Sequence, residues 1–127
     1  MMQHWILAAL ALYLAGIYLC SALLIPGYGI SAYLGSRDSE PAPAPVLARA
    51  RRASRNFQEN LPVFLALALL AMILPEAKMG QALLGAQIFV LARIVYLPLY
   101  LAAVPVLRSA VFTVGFGGLV LMALAVL

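Results

Sequence analysis

Charge is what this sequence has least of. Its 127 residues include eight Lys and Arg and four Asp and Glu, 9% of the chain, against roughly 25% in a soluble domain. So few ionisable groups cannot cover a water-facing surface, which excludes a soluble enzyme, a disordered tail and a nucleic-acid module. There is one cysteine, Cys20, so no intramolecular disulfide can form. The only histidine is His4, which leaves no cluster for a zinc ion, and no metal is expected. Apolar residues make up 66% of the chain, and the mean hydropathy is +1.07. The sequence reads as one all-α integral membrane domain, residues 1–127, with lipids as its surroundings.

Four apolar stretches set the expected helices at about 3–25, 46–74, 79–104 and 106–127, a four-helix bundle. Residues 5–25 carry no charge, and about 21 residues span roughly 31 Å as a helix, the thickness of a bilayer core. This stretch is expected to be a retained helix. The preceding MMQH has no Lys or Arg, and the run is too long for a signal-peptide core. The second apolar run, 61–74, is short and needs the polar stretch 46–60 before it, so that helix is expected to project beyond the bilayer. The loop at about 26–45 holds Gly27, Gly29, Gly35 and the PAPAP tract at 41–45, an extended linker over the bundle mouth. Arg37, Arg49, Arg51, Arg52 and Arg55 lie in this loop or just after it, and Arg108 lies at the third loop. By the positive-inside rule the first and third loops are cytoplasmic and both termini lie outside.

Ionisable residues at membrane depth are expensive, about 2.5–3.5 kcal/mol each on insertion scales, so each calls for a role. On the second helix Arg52, Asn56 and Glu59 recur at i, i+4 and i+7, within a stripe about 60° wide. Arg49 and Arg55 flank that stripe, and Arg51 points aside. On the third helix Arg93, Tyr96 and Tyr100 form another stripe, and Arg108 with Ser109 opens the fourth. All come from the cytoplasmic halves of their helices and can converge. Glu59 is the only acid among them, so a buried ion pair of Glu59 with Arg93 is expected, and the surplus arginines imply a bound anion. A carboxylate suits the guanidinium fork. Competing readings stand beside this one. Arg49, Arg51 and Arg52 can snorkel to anionic lipid headgroups, the Glu59 pair can be a structural staple, and Tyr96 and Tyr100 can be interface-belt residues. Gly115, Gly117 and Gly118 are read as allowing close helix approach, Cys20 as a small buried hydrophobe, and Pro62 and Pro98 as kinks beside the polar site.

The stretch RARRASRNFQENLPVF at 49–64 resembles the second-helix signature of the MAPEG family (membrane-associated proteins in eicosanoid and glutathione metabolism), through Arg52, Ala53, Asn56, Glu59, Asn60 and Pro62. ARIVYLPLY at 92–100 resembles the family's third-helix pattern, and Arg108 with Ser109 the start of its fourth helix. The resemblance implies a homotrimer of four-helix protomers with glutathione as co-substrate, bound at subunit interfaces. It implies that Arg52, Asn56, Glu59, Arg93, Tyr96 and Tyr100 hold the tripeptide, that Arg108 stabilises the thiolate, and that Ser109 lies beside the sulfur; Arg55 joins the binding candidates through the site's surplus of positive charge. Arg37 falls where a loop arginine of the family also touches glutathione. Departures are Ser54, where several members carry His or Gln, Tyr96, where some carry His, and the short Pro-rich first loop. They argue against eicosanoid specificity and leave glutathione binding intact.

The resemblance implies chemistry in which glutathione conjugates a lipophilic electrophile or reduces a hydroperoxide drawn from the bilayer. A free thiol of pKa about 8.5 is only about 3% ionised at pH 7, and a neighbouring cation raises that fraction. Arg108 never deprotonates and so serves as an electrostatic partner, not a base. The alternative is a non-catalytic trimeric membrane protein that binds an anionic ligand or lipid at the same arginines. A small multidrug transporter of similar length needs an acid in its first helix, and none is present.

Overall fold

The computed structural model describes residues 1–29, 34–35 and 44–127. Arg37 and most of the PAPAP tract lie outside the described residues. Four helices account for nearly all the rest: α1 (Met2–Tyr28), α2 (Pro45–Ile73), α3 (Met79–Leu101) and α4 (Pro105–Val126). Each is long and apolar enough to cross a membrane, which fits a multi-pass integral membrane protein. Among the described residues the architecture is all-helical, as a four-helix bundle requires.

The helix boundaries follow local chemistry. α1 ends at Gly29, whose φ of 86° suits a residue without a Cβ, and the Gly29 amide donates to the Ile25 carbonyl. Both α2 and α4 begin with proline at their first turn, where a missing amide costs nothing. α3 stops at Leu101, short of the expected 104, although the next residues are equally apolar. Pro105 holds Val104 extended, Ala103 takes φ 57°, and the helix cannot continue through them. The chain therefore reverses between α3 and α4 within residues 102–104.

The helices α2 and α3 form the middle of the bundle. α4 packs on α3 and α2, α1 packs on α2 and α3, and the backbones of α1 and α4 do not approach each other. The core between them is a stack of aromatic rings set among small residues. Phe64 and Phe89 lie face to face with centroids 4.9 Å apart, and Phe57 and Tyr13 extend the stack toward α1. Ala53, Ala68, Ala71, Ala82 and Ala86 are buried around them and let the helices close in. The tightest approach joins α3 to α4, where a Cβ on Gly85 would stand 2.5 Å from the Gly118 carbonyl oxygen. Gly115 is also close-packed, against Ala92, whereas Gly117 faces open space and has no part in this contact. At the end away from the arginines, the Lys78 amide donates to the Ala125 carbonyl and the Gln81 side chain to that of Leu121.

Candidate functional site

At the other end of the bundle the first turns of α2 and α4 meet the last turns of α3. Helical periodicity on each element aims a few polar side chains at the same place. Tyr100 is the hub. The Arg52 Nε donates to its hydroxyl oxygen at 3.2 Å, and the Arg108 guanidinium carbon lies 4.7 Å from its ring centroid. Tyr96 stands one turn back on α3, buried and tilted against Tyr100 at 5.5 Å. Asn56, Tyr96, Tyr100, Arg108, Ser109 and Phe112, with Thr113, line a groove of about 310 Å³. That volume is at the lower edge of what a small-molecule site occupies. Among the described residues no carboxylate lines it, and Arg108 gives the groove a cationic wall. By contrast, a second cavity bordered by Tyr13, Ser54, Arg93 and Tyr96 measures about 20 Å³, room for a single water-sized group.

Arg93 departs from expectation. It is 3% exposed and does not line the groove. Its Nη1 donates to the Asn56 Oδ1 at 2.8 Å, and its guanidinium carbon lies 4.1 Å from the Tyr96 ring centroid, with Phe57 at 5.3 Å and Phe112 at 5.8 Å. Glu59 is exposed, so the expected ion pair of Glu59 with Arg93 is replaced by an amide and an aromatic cage. The reason is rotational. α2 turns Asn56 inward toward α3 and leaves Glu59 on the protomer's outer surface. The Arg93 Nε is buried without a hydrogen-bond partner among the described residues.

The remaining expected residues divide. Asn56, Tyr96, Tyr100, Arg108 and Ser109 come together in the groove, and Arg52 reaches its rim through Tyr100. Arg55 does not join them and lies on the opposite flank of α2, beside α1. Cys20 is half-buried on that same flank, so it is not the buried hydrophobe its neighbours suggest. Two lining residues escape a reading based on polarity and family pattern. Phe112 and Thr113 each follow a site residue by four positions, Arg108 and Ser109 respectively, and that spacing alone was the signal. Arg49, read as a flanking charge or a lipid-facing arginine, donates from Nε to the Leu101 carbonyl at 2.9 Å and so caps the end of α3.

Four helices able to cross a bilayer fit a polytopic membrane protein, with Arg108, Tyr96 and Tyr100 gathered in a groove at one end and Arg52 at its rim. The sequence profile of the MAPEG family matches residues 5–127, and the chain belongs to that family. The family includes glutathione transferases and peroxidases as well as non-catalytic members. No match is found among curated proteins.

Proposed function

We propose that this chain is a glutathione-dependent membrane enzyme, a transferase or peroxidase acting on lipophilic electrophiles or hydroperoxides. The observation that carries the reading is the groove, lined by no acid among the described residues, in which Arg108 lies over Tyr100 beside Asn56 and Ser109. Glutathione brings carboxylates for guanidinium groups and a thiol to be ionised. Arg108 stabilises the sulfur anion, and the proton leaves to water because no arginine can accept it. The thiolate then attacks an electrophilic carbon, forming a C–S bond as the leaving group departs with its electron pair. With a hydroperoxide, sulfur attacks the terminal oxygen and the O–O bond breaks, giving an alcohol and a sulfenic acid. A second glutathione converts that acid to the disulfide and water. The groove is open on one side of the protomer, and in this reading a homotrimer closes it. The arginine-rich end faces the cytoplasm, as the positive-inside rule requires.

Arg108→Leu is the deciding variant. Turnover of a chromogenic electrophile should fall about a hundredfold or more, while calorimetric glutathione binding persists. The ultraviolet absorbance of bound thiolate should vanish in the same variant. Full turnover in Arg108→Leu overturns the assignment. Glutathione bound by the unsubstituted protein with an unchanged thiol titration supports the non-catalytic reading instead.

A further inference from the structure

The reversal between α3 and α4 is a strained one. At the end of α3 the Val104 amide donates to the Leu99 carbonyl and the Ala103 amide to that of Tyr100, each at 3.1 Å. This crossed pair is a Schellman closure, whose left-handed position is usually filled by glycine. Here Ala103 fills it at φ 57°, and its Cβ crowds the following carbonyl oxygen as a glycine would not. The closure serves the carbonyls of Leu99 and Tyr100 and leaves that of Leu101. In a continuing helix the Leu101 carbonyl would accept from the amide four residues on. That residue is Pro105, which has none.

Arg49 supplies the missing donor. From a half-buried position near the start of α2 its Nε reaches the Leu101 carbonyl at 2.9 Å, and a cation there also suits the partial negative charge at a helix C-terminus. One turn on, Arg52 donates to the Tyr100 hydroxyl oxygen at 3.2 Å. Two arginines at i and i+3, on one face of α2, thus hold consecutive residues of α3. Arg52 ends at the rim of the groove, whereas Arg49 lies outside its lining. What the turn delivers is the groove's cation. The Arg108 amide donates to the Val104 carbonyl at 3.2 Å, and the Arg108 guanidinium carbon lies 4.7 Å from the Tyr100 ring centroid. Tyr100 precedes the turn and Arg108 follows it, so the shape of the turn sets how the two meet.

We propose that Arg49 is a positioning residue for Arg108: by holding the Leu101 carbonyl it keeps the Ala103 turn closed and the Arg108 guanidinium seated over Tyr100. Its part in turnover rests on the glutathione reading above.

A second substitution separates this role from that of a plain charge. Glycine in place of Ala103 favours the left-handed backbone by itself, so Ala103→Gly should restore what Arg49→Met loses. It cannot restore a lost contact with lipid or with glutathione. The full chain, Arg49→Met, Ala103→Gly and the pair together are purified in an uncharged detergent. Each is measured for turnover, for calorimetric glutathione binding and for the pH at which the bound thiol absorbs as thiolate. Arg49→Met should lower kcat by up to about a hundredfold, the scale on which a displacement of about 1 Å acts at a reacting centre. Thiol ionisation should move to higher pH while glutathione binding persists. Ala103→Gly alone should leave turnover unchanged, and the pair should recover most of both losses. Arg49→Lys, which keeps the charge and a donor without the planar fork, should fall between the parent and Arg49→Met. Hydrogen exchange at the Ala103 and Val104 amides should quicken in Arg49→Met and slow again in the pair. An Arg49→Met variant with the parent's kcat and thiol titration overturns the proposal, as does a loss that Ala103→Gly leaves unrepaired. Loss of glutathione binding in Arg49→Met overturns it by making Arg49 a ligand. A parent chain that ionises no thiol is a separate failure, which removes the glutathione reading and this role together.

Discussion

A guanidinium sealed inside a helical bundle must find its partners within the protein, and Arg93 finds them in Asn56 and three aromatic rings. Hydrogen bonds to charged groups are worth about 1.5–3 kcal/mol, so Asn56→Leu should destabilise the protein by about that amount. Arg93→Met removes the charge together with its need for a partner and should cost no more than about 1 kcal/mol. Thermal unfolding in detergent compares the two, and an Arg93→Met variant as damaged as Asn56→Leu would contradict this account. The stripe of Arg93, Tyr96 and Tyr100 was legible from spacing alone, because three residues on one helix fix their own relative directions. Its partner was not. Asn56 and Glu59 lie about 60° apart on α2, and the rotation of α2 about its axis decides which one faces α3. That rotation is set by the packing of Phe57, Phe64 and Phe89, a tertiary matter that polarity patterns do not encode.

Among the elements, α3 and α4 are the pair whose spacing governs the groove, since Tyr100 ends one and Arg108 begins the other. Their backbones touch at Gly85 and Gly118, where a Cβ on Gly118 would stand 2.6 Å from the Gly85 carbonyl oxygen. Gly118→Ala should therefore push α4 outward, at a cost of about 1–3 kcal/mol. Glutathione affinity should drop with it, measured by calorimetry on the folded variant. Gly117→Ala meets open space and should change neither quantity beyond its usual helix-favouring effect. Hydropathy located all four helices but could not separate these two glycines, nor bring Gly85 to notice within an apolar run. It also could not see the end of α3, because Ala102, Ala103 and Val104 are as apolar as the helix before them. The informative signal there was Pro105 and its constraint on the residue it follows.

For the molecule as a whole, the proposed homotrimer is the arrangement that covers a one-sided polar groove in a membrane. Native mass spectrometry from detergent should record three copies of the 13.6 kDa chain, and a strictly monomeric protein that still turns over glutathione would contradict a site completed by a neighbour. Composition settled the membrane class, and three short blocks of residues, in order along the chain, carried the family. Neither could distribute the arginines, which the fold divides between two flanks of α2. The cap that Arg49 places on Leu101 and the bond from Arg52 to Tyr100 both join α2 to the last turn of α3, and the brief reversal after Leu101 ties α4 to the same place. Three helices are thereby buckled at one rim by hydrogen bonds and a short turn, whereas α1 joins them through the seating of Ala9, Tyr13 and Gly16.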